Sequence, residues 1–383
     1  MTSSERLEAA LNHKEADRLP FDLSGTEVTG ISIIALERWL KMNNLNADNL
    51  EIFSLVTQLG VVREEVLKQL NVDVRCLRPE VPPKHRVRIL EDYSYSYFND
   101  QFGVRWQMPH EHGHYYDIAQ SPLAGFDSVD EIESFNWPDP HDPSRYALLK
   151  GQALEIQETS QAGIVLDRDT GGIFETSWFV RGFENLLADM AGNPEMSASI
   201  MGKVLEYKLA FWDKALSEVG DQILVVSEAD DLAAQDRLIV SLEMYRKQLK
   251  PLHKELFSFI KAKAPHAKLF YHGCGAISEL LPDLIELGVD IINPVQVSAA
   301  NMDSRRLKRD FGDDIVFWGG GVDTQEVLPH GTPEQVRDEV RRRIDELAPG
   351  GGFVFAAVHC IQSDVPPENI QAMWEALQKY GGY

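Results

Sequence analysis

A histidine and a cysteine separated by one glycine, His272 and Cys274, are the residues of this sequence best suited to bind a metal ion. In an extended chain, side chains two residues apart leave on the same side, so an imidazole and a thiolate at this spacing can contact one ion. Zinc prefers both kinds of ligand. The structural alternative is a buried, hydrogen-bonded histidine beside a packed cysteine, and the pair alone leaves that alternative open.

A third soft ligand is available near the carboxyl end of the chain, where His359 and Cys360 follow another apolar run. Adjacent residues of an extended segment point in opposite directions, so we expect only one of them to bind and the other to pack or to support the site. Two ligands from one strand end and one from another would leave an open position, as in catalytic zinc sites.

Acidic residues after two other apolar runs are candidates to complete a metal shell or to act as catalytic acids. They are Glu175, Glu228, Asp230 and Asp231. In a chain with 60 acidic residues, any single one of them can equally be a solvated or capping carboxylate. We expect Arg168 to form an internal ion pair with the adjacent Asp169 rather than to bind substrate.

Three further patterns have weaker chemical meaning. The glycine run Gly319, Gly320 and Gly321 lacks the lysine of a phosphate-binding loop, but it would let a broad, flat ligand approach the backbone. The alternating histidines His110, His112 and His114 lie in a charged turn, where a solvated face is favoured over a metal site. Cys76 lies within an apolar run and is expected to pack in the core.

These residues have to be positioned by secondary structure, and the pattern predicts eight short strands buried on both faces. The predicted strands are Leu19–Leu23, Val72–Leu77, Ile164–Arg168, Ile223–Ser227, Lys268–His272, Val289–Val295, Ile315–Gly319 and Phe353–Ala357. Eight strands with crossovers in a chain well above about 250 residues predict an α/β fold of the (β/α)8 TIM-barrel type. An open doubly wound sheet is the alternative, but no glycine fingerprint follows the first strand.

Helical patterns alternate with the last six strands, as the barrel requires. They cover Glu184–Val219, Leu242–Ala264, Ile277–Leu287, Asp303–Phe311 and Pro333–Leu347, and an amphipathic start adds helical structure at the amino terminus.

An inserted β-hairpin is expected after the second strand, from Tyr93–Phe98 and Val104–Met108. Its aromatic residues would either form a docking surface or fill the underside of the hairpin.

Composition limits the class of protein. The chain has 383 residues, 37 Lys and Arg against 60 Asp and Glu, and a formal net charge of −23, which disfavours nucleic acid and anionic membranes as partners. No apolar run approaches the roughly 18 residues of a membrane span. Three cysteines are too few for a disulfide framework, so we expect a cytoplasmic protein. We also expect a single domain over residues 1–383.

The strand-end residues resemble those of the uroporphyrinogen decarboxylase superfamily, and within it the cobamide-dependent methyltransferases. The resemblance is strongest over Tyr271–Gly275, Val289–Gln296, Phe317–Thr324 and Asp364–Ile370, and weaker over Gly172–Glu175 and the Arg6–Arg18 start. It implies a (β/α)8 barrel in which zinc is held by His-x-Cys and a later cysteine. The first two ligands match His272 and Cys274, and the third position falls on His359, with Cys360 one residue beyond.

The resemblance implies a zinc-dependent methyltransferase that moves a methyl group between a small methylated substrate and a corrinoid (cobalamin). The corrinoid would be carried by a separate protein, because the Asp-x-His-x-x-Gly signature of a corrinoid module does not occur in this chain. An aryl methyl ether is the preferred substrate, with a methylamine or a thiol as alternatives. Glu175, Glu228 or Asp230 would supply the acid, and the Gly319–Gly321 run would approach the corrinoid.

Two rival functions remain at this stage. One is a metal-free decarboxylase of a small carboxylic acid or of uroporphyrinogen on the same barrel. The decarboxylases, however, carry an arginine-rich segment near the amino terminus, and the corresponding stretch Phe21–Glu27 contains no arginine. The other rival is a catalytically idle protein that only docks a corrinoid partner.

Overall fold

The computed structural model describes all residues from Met1 to Tyr383 and contains thirteen strands in three sheets. In chain order the strands are β1 (Ile52–Ser54), β2 (Leu59–Gly60), β3 (Val74–Leu77), β4 (Leu90–Glu91), β5 (Tyr95–Asn99), β6 (Arg105–Pro109), β7 (Asp117–Gln120), β8 (Gly163–Leu166), β9 (Val225–Ala229), β10 (Lys268–His272), β11 (Ile291–Asn293), β12 (Val316–Trp318) and β13 (Phe353–Val354).

Fifteen α-helices surround and extend these sheets, and a π-helical stretch, Tyr245–Leu249, joins α9 to α10. The helices are α1 (Ser3–Leu11), α2 (Ile33–Met42), α3 (Glu64–Gln69), α4 (Val129–Ser134), α5 (Leu149–Thr159), α6 (Ile173–Arg181), α7 (Phe183–Gly192), α8 (Pro194–Val219), α9 (Leu242–Met244), α10 (Lys250–Lys263), α11 (Leu281–Glu286), α12 (Ser304–Phe311), α13 (Val327–His330), α14 (Pro333–Leu347) and α15 (Pro367–Tyr380). None of them combines the length and the apolar character needed to span a membrane.

The main sheet confirms the predicted barrel. Seven parallel strands follow each other in the order β3, β8, β9, β10, β11, β12, β13. The predicted first strand is reduced to a single parallel bridge between Phe21 and Phe355. Pro20 has no N–H to donate, and the Phe21 N–H is taken by the Asp73 carboxylate instead of a strand neighbour. The Phe21 carbonyl still accepts the Asp73 N–H at 2.8 Å, so the segment closes the ring between β13 and β3.

Side chains of the barrel strands alternate between two cores. Those that face outward join the helices in a cluster of 86 buried residues, and the inward-facing ones form a separate cluster of 13. Val225, Phe270 and Ile291 belong to the inner cluster, which Leu7 and Leu11 of α1 also join. Two residues further along these three strands, the inner face carries Ser227, His272 and Asn293. The barrel interior therefore changes from apolar to polar toward the carboxyl ends of the strands.

The predicted hairpin is present as part of a four-stranded antiparallel sheet, β4-β5-β6-β7, inserted between β3 and β8. Its aromatic residues Phe98, Phe102 and Trp106 are buried and make edge contacts with the rings of Tyr116, Tyr207 and Phe179, respectively. These rings therefore fill the underside of the insert.

One buried carboxylate ties the amino-terminal segment to the barrel. Asp73 is fully buried just before β3, and it accepts hydrogen bonds from Arg6 Nη1 at 2.7 Å, Arg18 Nη1 at 2.7 Å and the Phe21 N–H at 2.9 Å. It lies at the amino-terminal end of β3, opposite to the polar end of the barrel.

We expect Asp73→Ala to lower the free energy of unfolding by about 3–5 kcal/mol, because it leaves buried donors without an acceptor. Urea denaturation of the variant measures the loss. Asp17→Ala is the matched control, since Asp17 also pairs with Arg6 but its side chain is 45% exposed, and it should cost less than about 1 kcal/mol. Equal losses in the two variants would contradict the role given to Asp73.

Candidate metal centre

Three metal-ligand side chains converge at the carboxyl ends of the barrel strands. His272 ends β10, Cys274 follows two residues later, and His359 lies in the loop after β13. Their ligand atoms all lie within 4.8 Å of one another. Cys274 Sγ is 3.4 Å from His272 Nε2, and the two imidazole centroids are 5.3 Å apart.

Cys360 points away from this group. It is 1% exposed, and its Sγ donates a hydrogen bond to the Glu27 backbone carbonyl at 3.0 Å. Burial raises the pKa of the Cys360 thiol to about 12. Of the two adjacent candidates, the structure therefore places His359 with His272 and Cys274, and Cys360 on the opposite side of the chain.

A hydrogen-bond chain fixes the orientation of the His272 ring. Asn293 Nδ2 donates to the Trp318 carbonyl at 2.9 Å, which leaves Asn293 Oδ1 to face His272 Nδ1 at 2.6 Å. An amide oxygen can only accept, so Nδ1 carries the proton and donates it. His272 Nε2 then presents its lone pair toward Cys274, as second-shell partners of metal-binding histidines do.

The protonation states of the two histidines suit metal binding. Burial, assisted by the charge of Arg168, lowers the pKa of His272 to about 3. Burial and the neighbouring His272 lower the pKa of His359 to about 4. Both rings are neutral at physiological pH, whereas burial raises the pKa of Cys274, so this thiol has to lose its proton when it binds a metal. Two imidazoles and one sulfur fit zinc, and Cys274 and His359 are only partly buried, so the group is accessible from one side.

A carboxylate stands beside the three ligands. Asp231 Oδ1 accepts the Cys274 N–H at 2.7 Å and lies 3.9 Å from His272 Nε2. The Asp231 side chain is 34% exposed, so it can contact an ion or a substrate bound beside His272, Cys274 and His359.

Two of the predicted catalytic acids have structural partners instead, which corrects the sequence interpretation. Glu228 is fully buried on the outer face of β9, where it pairs with Lys208 Nζ at 3.0 Å and accepts a hydrogen bond from the Trp212 indole. Both are residues of α8. Glu228 thus anchors this helix to the barrel.

Asp230 holds α6 in place. Its two oxygens accept the backbone N–H groups of Phe174 at 2.9 Å and Glu175 at 2.7 Å, in the first turn of that helix. The oxygen that accepts the Phe174 N–H also lies 2.9 Å from Nε2 of the buried His253. Both oxygens are occupied, and the carboxylate satisfies free N–H groups at a helix amino terminus.

Glu175 is the remaining predicted acid, and it is half-buried near Asp231. Burial and the negative charge of Asp231 raise the pKa of Glu175 to about 8, although Arg168 acts in the opposite direction. The carboxyl group is therefore protonated at neutral pH and able to donate a proton.

The glycine run is enclosed by the protein. Gly319, Gly320 and Gly321 are buried. A Cβ at Gly320 would lie 2.7 Å from Val295 Cβ, and one at Gly321 would lie 2.4 Å from the Phe355 ring. Contacts within the barrel thus require glycine here, and the run offers no open surface to a macrocycle, contrary to the prediction.

The other histidines and Cys76 lie apart from the metal group. His110, His112 and His114 are exposed, and they do not form a cluster of metal-ligand atoms. Cys76 pairs in register with the inward-facing Val165, so it lines the barrel interior rather than the outer core. Asp167 and Arg78 are among the charged groups that act on its thiol.

Several mouth residues were not predicted from the sequence. Asn293 lies within the predicted strand Val289–Val295, but no role was predicted for it. Glu27, which pairs with Arg78, comes from the loop after the first bridge. Asp169 is the wrong partner for Arg168, because it pairs with Arg145 at 2.9 Å, and the carboxylate that Arg168 contacts internally is Asp167 at 3.5 Å.

Comparisons with known proteins agree with this architecture. The family profile described as uroporphyrinogen decarboxylase (URO-D) matches residues 126–380. A methylated-thiol–coenzyme M methyltransferase of Methanosarcina mazei is 24% identical over 248 residues, which is 64% of this chain and 62% of that protein. The chain thus spans less than two thirds of the length of that relative.

A uroporphyrinogen decarboxylase of Alkalilimnicola ehrlichii is 22% identical over 259 residues, 66% of this chain and 67% of that protein. Among solved structures, a methyltransferase from Methanosarcina mazei superposes with a TM-score of 0.65 over 99% of both chains, at 15% identity. This similarity shows a shared fold. Because the family profile matches well over half of the sequence, the chain belongs to the uroporphyrinogen decarboxylase family.

Proposed function

We propose that this protein is a zinc-dependent methyltransferase that moves a methyl group between a small methylated substrate and the cobalt of a corrinoid carried by a separate protein. The observation that carries the proposal is the convergence of His272, Cys274 and His359 at the barrel mouth. The similarity to a methylated-thiol–coenzyme M methyltransferase supports the same reaction class.

These three residues would hold the zinc ion and leave one position open to substrate. Bound there, zinc would supply Lewis-acid polarisation of the heteroatom that carries the methyl group. Asn293 keeps the His272 ring in the orientation that presents Nε2. Asp231, bonded to the Cys274 N–H, holds the backbone of the second ligand.

Glu175 would supply the proton that the heteroatom needs when the methyl group departs. Its carboxyl group is protonated at neutral pH. The charge of Asp231 acts on both Glu175 and Cys274, and Glu175 also acts on Cys274, so the three groups lie near one another. Proton transfer from the carboxyl to the leaving oxygen, nitrogen or sulfur gives a neutral alcohol, amine or thiol and leaves Glu175 as a carboxylate.

The preferred substrate is an aryl methyl ether, with methylamines and thiols as alternatives, and this preference rests on the family resemblance. Four acidic residues, Asp22, Glu27, Asp167 and Asp231, lie in the segments that follow strands at this end of the barrel, and their negative charge disfavours a porphyrinogen with many carboxylates. A metal-free decarboxylase on the same barrel remains the competing outcome of the experiment below.

The proposal is tested with purified, zinc-loaded protein and free cob(I)alamin. Methoxylated aromatics, methylamines and methylated thiols are offered in turn, and methylcobalamin is followed by its absorption spectrum. We expect methylation of cobalt with at least one class and none after zinc is removed. Activity that survives complete removal of zinc, or release of carbon dioxide from a carboxylic acid by the metal-free protein, would refute the proposal.

The zinc ligands can be tested independently of activity. We expect wild-type protein to bind about one zinc ion per chain, and Cys274→Ala and His359→Ala to lose most of it, because a two-ligand site binds weakly. Cys360→Ala is the matched control, since its thiol lies on the other side of the chain, and it should keep its zinc. Metal analysis gives the zinc content of each variant, and circular dichroism shows whether it is folded. Zinc loss in Cys360→Ala with retention in His359→Ala would overturn the ligand set.

Glu175→Gln should retain zinc and fold but slow methyl transfer by about two to four orders of magnitude, because the amide cannot donate the proton. The wild-type rate should fall as pH rises through the pKa of Glu175, since ionisation removes the acid. The variant should lack this decline. A pH–rate profile measured for both proteins decides the point, and an unchanged alkaline limb in the variant would exclude Glu175.

A further inference from the structure

Arg168 is a deeply buried arginine with few partners. The residue is 6% exposed, and its only side-chain hydrogen bond runs from Nη1 to Ser227 Oγ at 3.1 Å. The nearest carboxylate oxygen, Asp167 Oδ1, is 3.5 Å from Nη1. Nε and Nη2 donate to no protein atom, yet neither is sealed from solvent. Most of the donor fork is therefore without a protein partner.

Other buried arginines of this chain make more hydrogen bonds through their side chains, although Nε of Arg145 also has no partner. Arg181 binds Asp189 and the carbonyls of Leu123 and Phe126, and Arg343 binds Glu339 through two nitrogens and Ser304 through a third. A buried donor without a partner is costly, which is why such groups are normally paired. Arg168, with a single side-chain hydrogen bond, has fewer protein partners than Arg145, Arg181 and Arg343.

The guanidinium lies beside the metal group. Ser227 is on the inner face of β9, the strand that pairs with β10, and Ser227 stands in register with Phe270, two residues before His272. The positive charge of Arg168 acts on His272, Cys274 and His359. A ligand held by Arg168 would therefore extend toward these three residues.

Asp167 does not occupy the free donors. One of its oxygens accepts the Glu27 N–H at 2.9 Å and the other accepts the Arg168 backbone N–H at 3.1 Å. Backbone N–H groups thus hold the Asp167 carboxylate. Its contact with Arg168 is long, 3.5 Å, and involves only one guanidinium nitrogen, Nη1. The other mouth arginine, Arg78, is paired with Glu27.

We infer that Arg168 binds a carboxylate group of the substrate and directs the methyl-bearing end of that substrate toward His272, Cys274 and His359. The planar fork of a guanidinium matches the two oxygens of a carboxylate, and a pair of this kind is strongest where water is largely excluded. The substrate class becomes a small methylated carboxylic acid, such as a methoxylated aromatic acid. This substrate class rests on the proposed methyl transfer, whereas the anion site itself does not.

Binding of two matched probes to zinc-loaded protein tests the inference without turnover. Para-methoxybenzoate and para-methoxybenzyl alcohol differ in the anionic group, and calorimetry gives their affinities. We expect wild-type protein to bind the carboxylate at least about tenfold more tightly, and Arg168→Gln to lose this preference. Arg168→Lys should retain part of it, because the charge remains and the fork is lost.

Zinc content and thermal melting establish that the variants are folded and loaded. Equal affinity of the wild type for the two probes would overturn the inference without any variant. So would a preference that persists in Arg168→Gln. A carboxylate preference in the wild type that Arg168→Gln abolishes would support the anion site even if neither probe is demethylated, and in that case it is the proposed methyl transfer that fails. Demethylation of both probes with the same KM would support methyl transfer and refute the anion site.

Discussion

The alternation of side chains along the barrel strands is the constraint on which the site depends. Each strand sends every second residue into the barrel, so an inner apolar residue such as Phe270 is followed two positions later by His272, and Ile291 by Asn293. Parallel register places the ends of neighbouring strands at the same height, which brings Asn293 against His272. The same rule sends Glu228 outward to Lys208. The alternation therefore divides polar side chains into those that face the candidate metal centre and those that hold helices against the barrel.

Burial then determines the charge states of the residues at the candidate metal centre. Low accessibility favours the neutral forms of His272, His359 and Glu175. It therefore lowers the pKa of the two histidines and raises the pKa of the glutamate. Neutral imidazoles can bind a metal, and a protonated carboxyl can donate. Arg78 stays charged because Glu27 compensates it, and that pair holds the pKa of Glu27 down to about 2 despite burial. A single property of the pocket thus prepares ligands and acid together.

Much of the fold follows from the sequence, because buried parallel strands read as apolar runs that are easy to locate. Seven of the eight predicted strands are present. The exception is the first, Leu19–Leu23, which is reduced to one bridge next to Pro20, a residue without an N–H group. Parity is harder to predict. A run such as Ile223–Ser227 is apolar on both faces, so nothing in it shows whether Ser227 or Glu228 points inward.

The partners of charged residues were the least predictable feature. Arg168 and Asp169 are adjacent in sequence, yet Asp169 is taken by Arg145 from an earlier segment. Arg168 lies 3.5 Å from the carboxylate of its other neighbour, Asp167, so adjacency in the sequence does not decide the partner, which depends on the tertiary fold. His359 and Cys360 are adjacent and diverge, so the structure places only the His359 side chain beside His272 and Cys274.

Satisfied and unsatisfied polar groups are divided between the two ends of the barrel. At the amino-terminal end, Asp73 accepts bonds from two arginines and a backbone N–H, and it contributes to stability. At the carboxyl end, His359 makes no hydrogen bond and Arg168 makes only one through its side chain. Polar groups without hydrogen-bond partners reduce the stability of the folded protein, but they remain able to bond to a ligand. A barrel stabilised at one end can keep such groups at the other, and this is where a metal ion and a substrate carboxylate would complete the structure.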